Sequence, residues 1–574
     1  MLGTNDIVYH SLVYVKGKIK YIIFKRDQEK YCLPTKFRVG FLHWGLKNNL
    51  SFDIIKLRHK PTKTNGRNMK NKIIALLLTL IFTLSLCACS LGGGGGALSC
   101  AAGHTEENDD GLCDVCDKDL IVTVDFYSIN DLHGKFLDTD SQPGVDELTS
   151  FLKLTRFTDQ HTVLLSTGDM WQGSSESNMT KGQIVTDWMN ELDFVSMTLG
   201  NHEFDWGEEY IRSNLEAADF PFLAINIYDE DTDLPVDYCD GSVMIERGGI
   251  KIGIIGAIGD CYSSISSDKV DGIYFKTGRE LTELVEAEAD RLLAEGADLL
   301  IYALHDGYDR GASGYVATSK LSYYSPSLSF DCIDAVFEGH THKSYSFYDT
   351  GDVYHLQGGG ENSAISHLEI QINSISKSKK VTVSEIIPSD IYSDYSSDPA
   401  IKEIEKKYEE EINASRRMLG FNSKYRSGNE LSEIVAKLYL DFGMELWGSE
   451  YDIVLGGGFI KPRSPYNLSR GDVTYSDISM IFPFDNTLML CSVSGRNLIN
   501  KFLDTYSDDY YCALSSYGEK IEDLINTGAT YYIVVDSYTA TYAPNGLTII
   551  REYGEEYFAR DMLAKYIEDG GLEH

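Results

Sequence analysis

Between residues 120 and 342 the chain repeats one pattern, a short apolar run that ends abruptly in Asp, Asn or His. LIVTVDFYSIND, TVLLSTGD, DFVSMTLGN, ADLLIYALHDG and IDAVFEGHTH all follow it, and KIGIIGAIGD is a further apolar run of the same kind. Such runs predict β-strands that end in polar, metal-capable residues, and KIGIIGAIGD a further buried strand. Between some of them lie stretches with helical spacing. Residues 279–295 put Leu281, Leu284, Val285, Ala289 and Leu292 on one stripe. Strand, loop and helix in alternation predict an α/β fold, in which a site forms beyond the carboxyl ends of the strands. After residue 395 the pattern changes. PAIKEIEKKYEEEINASRRM carries apolar residues at Ile401, Ile404, Tyr408 and Ile412 with charge elsewhere. It predicts a narrow-faced helix over 396–419, linking a domain at 120–395 to a smaller α/β domain at 420–574.

Upstream, Ile73 to Leu86 gives 14 residues that are nearly all apolar, after Lys70 and Lys72 and before Cys87-Ala88-Cys89. A bilayer span needs about 20, so this run has the length of a signal-peptide core. Its end resembles a bacterial lipobox cut before Cys89. The reading is a signal peptide at 69–88, a lipid on Cys89, and residues 1–68 as an extension ahead of the true start. Charge marks the same boundary. Residues 1–68 carry 14 Lys/Arg against 4 Asp/Glu, and those from Cys89 onward carry 35 against 83. The expected location is the extracellular face of a Gram-positive membrane. Gly92 to Gly96 would be a flexible spacer. Cys100, His104, Cys113 and Cys116 then form C-x3-H-x8-C-x2-C, which suits one structural zinc, with one disulfide and spare thiols as the alternative. Cys239, Cys261, Cys332, Cys491 and Cys512 stand singly, so no disulfide scaffold is expected.

The net charge of −36 over 574 residues excludes a binder of nucleic-acid polymers, which needs a basic face. It does not exclude phosphate chemistry if metal cations supply positive charge locally. The strand-end residues are suited to hold such cations. They are Asp131 and His133, Asp169, Asn201 and His202, His305, and His340 and His342. This oxygen and nitrogen set, without thiolate, suits Mn, Fe, Co or Zn. Two cations about 3.5–4 Å apart would need one carboxylate to bridge them.

The order DxH(G), GD, GNHE, LHDG, GHTH resembles the calcineurin-like metallophosphoesterase superfamily. GNHEFDWG followed by a second domain resembles its 5′-nucleotidase/UDP-sugar hydrolase branch. The resemblance covers residues 120–390 well and implies a four-layer αββα sandwich. It implies that Asp131, His133 and His342 hold one metal, that Asn201, His305 and His340 hold the other, and that Asp169 bridges. His202, held by Asp205, would sit beside the phosphate, although a purely structural histidine is the alternative. The implied reaction is hydrolysis of nucleotide phosphate esters to nucleoside and phosphate. The alternatives are a 2′,3′-cyclic nucleotide, a UDP-sugar or a thiosulfate conjugate on the same fold, or a non-enzymatic receptor for nucleosides or host ligands.

Residues 420–574 resemble the C-terminal domain of that branch less closely. Phe484 of PFDNT and Tyr538 of VVDSYTATY fall where two aromatic walls would sandwich a base. The family's GGGIR reads Gly456-Gly457-Gly458-Phe459-Ile460-Lys461, so Lys461 or Arg463 would replace its arginine. Arg426 would be a surviving phosphate or ribose contact, and Asn545 of Ala543-Pro544-Asn545-Gly546 would stand for the aspartate of GGDG.

Overall fold

The computed structural model describes strands at 8–14, 19–25, 36–43 and 51–58, and then residues 111–113, 120–138, 143–158, 160–311, 314–317, 332–349, 353–463, 467–503, 510–521, 524–542, 545–553 and 558–573. The chain divides into two compact units, Met1–Ala101 and Ala102–His574. In the first, Val8–Tyr14, Ile19–Lys25, Lys36–His43 and Ser51–Arg58 pair antiparallel in chain order. The apolar run at 73–86, Cys89, Cys100, His104 and Cys116 lie outside the described residues, and Cys113 is buried.

The second unit opens with two six-stranded sheets. One has a parallel core of Ile121–Ile129, Thr162–Ser166, Ser196–Thr198 and Phe222–Leu223, extended by the antiparallel pair Ala364–Asn373 and Lys379–Pro388. The other has a parallel core of Ile250–Ile258, Leu299–His305, Ala335–Glu338 and Tyr354–Gly358, with antiparallel edges Ser242–Arg247 and Ser344–Tyr348.

The period-2 alternation of side chains sorts each run into two cores. Val124 and Phe126, Val163 and Leu165, and Leu299, Ile301 and Ala303 meet between the sheets. Tyr127, Ile129 and Leu164 point the other way, onto Leu148, Leu152, Ile184, Trp188 and Ile211 of the helices Asp146–Thr158, Gln183–Glu191 and Glu208–Ala217. Leu300, Tyr302 and Leu304 likewise pack on Leu281, Val285, Ala289 and Leu292 of helix Arg279–Ala294. Helix, sheet, sheet and helix are therefore stacked in four layers, as the resemblance implies.

The helix expected at 396–419 is two helices, Pro399–Lys407 and Glu409–Ser415. Tyr408 breaks them at φ −110°, ψ 29°, and its hydroxyl donates to Asp187 at 2.9 Å. Ile401, Tyr408 and Ile412 are buried against the first helical layer. The apolar spacing marks the face that is buried but does not reveal the break at Tyr408.

The last part holds a five-stranded sheet ordered Tyr510–Leu514, Ile453–Phe459, Thr530–Asp536, Leu488–Ser494, Leu547–Glu552. Helix Gly428–Trp447 covers one face through Leu431, Val435, Tyr439 and Leu440. Ser427 and Glu430 close its first turn reciprocally, a capping box.

Candidate metal centre and cavity

The candidate ligands sit in turns that follow parallel strands, except His305, which ends its strand. Asp131, His133, Asp169, His340 and His342 all have left-handed backbone, with φ of 49°, 51°, 55°, 68° and 55°. Asp and His tolerate this region better than β-branched residues do, and a cluster of such outliers at one place points to function. The turns are bonded to one another. Asp131 N–H donates to Gly168 O at 2.9 Å, His133 N–H to Asp169 O at 3.0 Å, and His340 N–H to Asp131 Oδ1 at 2.9 Å. Gly168, at φ 90°, has no room for a side chain, because a Cβ would lie 2.8 Å from His305 Nδ1.

Glu203 of GNHE is fully buried and accepts the backbone N–H groups of Asp169, Met170 and Gly200 at 2.8, 2.8 and 2.7 Å. It ties two ligand-bearing turns to one carboxylate. Asn130 does the same elsewhere, donating to Asp131 Oδ2 and Gly359 O at 2.6 Å each. Under the GHTH turn, Gln357 donates to Gly339 O at 2.9 Å and accepts from Thr341 Oγ1 and Lys343 N at 2.9 Å. Sequence reasoning did not find these three. Glu203 lies inside a quoted motif, but nothing in residue type alone distinguishes a ligand from a support.

The side chains converge as the ligand reading expects. His133 Nδ1 faces Gln172 O at 2.7 Å and His305 Nδ1 faces Thr167 O at 2.6 Å. A carbonyl only accepts, so both rings carry their proton on Nδ1 and turn Nε2 inward. His133 Nε2 is 3.0 Å from His342 Nε2, and His342 Nε2 is 3.5 Å from Asp131 Oδ1. His305 Nε2 is 3.2 Å from both Asp169 Oδ2 and Asn201 Oδ1, and Asn201 Oδ1 is 3.1 Å from His340 Nδ1. Asp169 Oδ2 is also 4.0 Å from His133 Nε2, so it lies between the two groups.

The electrostatics ask for positive charge here. Burial alone would lower His305, but the Asp169 carboxylate beside it overrides that and pushes it up to about 10. Burial pushes the Asp131 carboxyl up to about 7. Burial, aided by neighbouring cationic groups, keeps His133 well below its ordinary value, His340 near 4 and His342 near 3. The imidazoles of His133, His340 and His342, kept neutral beside the Asp131 and Asp169 carboxylates, fit divalent metal ions well. Asp131, His133 and His342 form one group with metal-ligand spacing, and Asp131, Asp169 and His305 another. Cys261, whose Sγ donates to His305 O at 3.0 Å, also lies close to His305 and His340. Its isolation in the sequence gave no hint of this.

His202 stands beside the cluster. Its Nδ1–H donates to Asp205 at 2.8 Å, its N–H donates to Asp169 Oδ1 at 2.9 Å, and its ring stacks on Phe484 at 5.7 Å. Burial lowers its pKa and Asp205 more than compensates, so the net shift is upward.

A cavity of about 390 Å³ separates this cluster from the C-terminal part. His133, Asn201, His202, Asp205, His340 and His342 line one side, and Phe459, Lys461, Arg463, Phe484 and Tyr538 the other. Arg463 reaches across, its Nη2 lying 3.1 Å from Gln172 Oε1 and 3.2 Å from His133 Nδ1. The loop carrying Phe484 is fastened to the catalytic side. Asn178 donates to Pro483 O at 3.1 Å, and Asp485 pairs with Lys181 at 2.6 Å and with Arg560.

The structure does not bring every expected pocket residue to the cavity. Arg426 is buried with its guanidinium on Asn422 Oδ1. Asn545 accepts from Tyr510 OH at 2.8 Å and donates to Thr539 O at 2.8 Å, so its amide is used inside the domain. Gly457 and Gly458, at φ 142° and 141°, allow close packing instead. A Cβ there would meet Tyr511 O at 2.1 Å and Thr539 Oγ1 at 2.6 Å.

Residues 125–344 match the family described as calcineurin-like phosphoesterase. The chain is 28% identical over 422 residues to an apyrase of Tabanus yao, covering 65% of this chain and 72% of that protein. It is 24% identical over 438 residues to the protein UshA of Yersinia enterocolitica, covering 67% and 76%. In fold it is similar to a putative 5′-nucleotidase from Staphylococcus aureus, with a TM-score of 0.61 at 17% identity over 79% of this chain and 98% of that one. A 5′-nucleotidase precursor from Thermus thermophilus gives 0.60 at 15% identity over 78% and 96%.

Proposed function

We propose that this phosphoesterase of the calcineurin-like fold hydrolyses phosphate esters of nucleotides to nucleoside and phosphate, using two divalent cations, at the outer face of a bacterial membrane. Asp131, His133 and His342 would hold one cation, Asn201, His305 and His340 the other, and Asp169 would bridge them. The observation that carries the reading is His305 Nε2 facing Asp169 Oδ2 and Asn201 Oδ1 at 3.2 Å, within a buried group that requires positive charge. When bound, such cations polarise phosphoryl oxygens and lower the pKa of water.

The chain's own residues then have separate tasks. His202, its Nδ1 fixed by Asp205, presents Nε2 to a phosphoryl or leaving-group oxygen. Arg463, half-buried between Gln172 and the Phe484 face, adds a fixed positive charge beside the site. Phe484 and Tyr538 offer aromatic faces to a base, at about 1–3 kcal/mol per stacked base. The nucleotide substrate is also supported by similarity to an apyrase and to UshA. Surface location rests on the apolar run at 73–86 and Cys89, which would carry the lipid. The Cys100–Cys116 segment would hold one structural zinc.

The test is phosphate release from a panel of nucleoside monophosphates, 2′,3′-cyclic nucleotides, UDP-sugars and p-nitrophenyl phosphate, after chelation and after return of Mn, Zn, Fe or Co. The expected result is metal-dependent release, with nucleoside monophosphates the best substrates. Turnover that survives chelation, or that is confined to substrates without a nucleoside, overturns the proposal.

A further inference from the structure

One buried carboxylate on the C-terminal wall of the cavity has no part in the chemistry above. Asp536 ends strand Thr530–Asp536, is 1% exposed, and lines the cavity together with Tyr439, Phe459 and Tyr538. Its Oδ1 accepts from Thr539 N at 2.7 Å, and the Thr539 hydroxyl also hydrogen-bonds to the carboxylate. Its Oδ2 is approached by the Tyr439 hydroxyl at 3.5 Å, longer than an ordinary O–H···O bond. Among the described residues no Lys, Arg or His makes an ion pair with it, and burial pushes it up to about 6. Capping the short helix Ser537–Thr541 does not require a charge, because Ser, Thr or Asn would cap as well. An acidic group kept at the floor of a ligand cavity, with acceptor capacity to spare, suits a ligand that brings hydrogen-bond donors.

We propose that Asp536, with Tyr439, reads the edge of the nucleobase and selects guanine nucleotides. This rests on the nucleotide reading above and deepens it. Tyr538 is two residues beyond Asp536 and lines the same cavity, so a base stacked on its ring, as in the reading above, can turn an edge toward the carboxylate. Guanine presents a ring N–H beside an exocyclic amino group, two donors side by side. Hypoxanthine presents one ring N–H between a carbonyl and a C–H, and uracil one ring N–H between two carbonyls. Adenine and cytosine present a ring lone pair beside the amino group, and a carboxylate repels that lone pair. The expected order is therefore guanine, then hypoxanthine and uracil, then adenine and cytosine.

The experiment is calorimetric binding of guanosine, inosine and adenosine to the full chain and to Asp536→Asn, which keeps volume and cap but loses the charge. Guanosine is expected to bind the unaltered protein about ten- to a hundredfold more tightly than adenosine. Asp536→Asn should bring the two within about threefold of each other, because a neutral amide can turn to suit either edge. Tyr439→Phe should lower the preference by less, and it serves as the deciding variant if Asp536→Asn melts early. Equal binding by the unaltered protein, no binding of any nucleoside, or an unchanged preference in Asp536→Asn, or in Tyr439→Phe where that variant decides, overturns the proposal. Nucleosides carry no phosphate, so the outcome is independent of hydrolysis. Absence of phosphate release from every nucleotide would instead overturn the proposed function.

Discussion

The two sides of the cavity are built differently. On the ligand side, five residues in left-handed turns are held by buried polar supports, namely Glu203 under Asp169, Asn130 under Asp131, and Gln357 under the GHTH turn. On the C-terminal side, Phe459 ends a strand of a sheet packed by apolar residues on both faces, and Tyr538 lies in the short helix after another strand of it. The loop of Phe484 is held instead by polar contacts, from Asn178, Lys181 and Arg560. Chemistry on ions demands fixed donors at close quarters, so each turn there is pinned by hydrogen bonds that charged or amide groups alone can supply. Recognition of a flat base demands only faces and edges, which packing can set. The ligand side should therefore respond steeply to single polar substitutions, and the C-terminal side in smaller, substrate-dependent steps.

The sharpest break of that contrast would come at Asp169. Asp169→Asn removes the carboxylate that lies 3.2 Å from His305 and 4.0 Å from His133. We expect loss of at least one metal ion by elemental analysis and loss of nearly all turnover, with the fold kept by circular dichroism. Full activity at unchanged metal content would contradict the bridging role. Next in size is His202→Ala, which should keep its metals and lose about 10²–10⁴-fold in turnover, as for removal of a positioned acid or transition-state donor. Metal loss in that variant would make His202 a ligand instead.

The same contrast explains what was legible in the sequence. Asp131, His133, Asp169, Asn201, His305, His340 and His342 could be singled out as candidates because few residue types can ligate, and each ends or follows an apolar run that places it near a strand end. The α/β class could be read from the alternation of strand, loop and helix, whereas the four layers came from the resemblance. The supports were not legible. Glu203 and Gln357 act through distances to backbone atoms that only folding brings near, and their residue types are common on any surface. The same holds for Arg426 and Asn545, whose side chains are taken up by Asn422, Tyr510 and Thr539 inside their own domain. Pocket membership depends on which way a side chain turns, and short motifs do not encode that.

The C-terminal wall can be tested on nucleotides. Tyr538→Ala should raise KM for nucleotides by roughly five- to 150-fold, the loss of one stacking face. The increase should exceed that for p-nitrophenyl phosphate, because stacking acts equally in ground and transition states. Phe484→Ala should differ from it. Phe484 also stacks on His202 at 5.7 Å, so its removal should lower turnover of both substrates as well as raise nucleotide KM. Identical profiles for the two variants would mean that Phe484 does not support His202.

The smallest expected effect concerns stability against pH, and it separates polar support from packing directly. His355 is fully buried beneath the GHTH turn, with Nδ1 facing Glu338 Oε1 at 3.1 Å and Nε2 facing Asp349 Oδ2 at 3.3 Å. Burial opposes its charge, yet the Glu338 carboxylate and the two hydrogen bonds override burial and push it up to about 9. Its folded-state value is thus above the ordinary 6.5 of histidine, so the folded state binds this proton more tightly than the unfolded chain does. That stabilisation is fully present below about pH 6.5 and is lost as pH rises through about 9. His355→Gln keeps hydrogen-bonding capacity and loses the titrating charge. The variant should melt a few degrees below the unaltered protein at pH 6, corresponding to about 2 kcal/mol or less. At pH 9.5 the gap should shrink. Leu440→Ala, which opens the packed face beneath the C-terminal sheet, should cost the same at both pH values. If the His355 gap is pH-independent, or the Leu440 gap is not, the division between a polar-supported ligand side and a packing-supported recognition side fails.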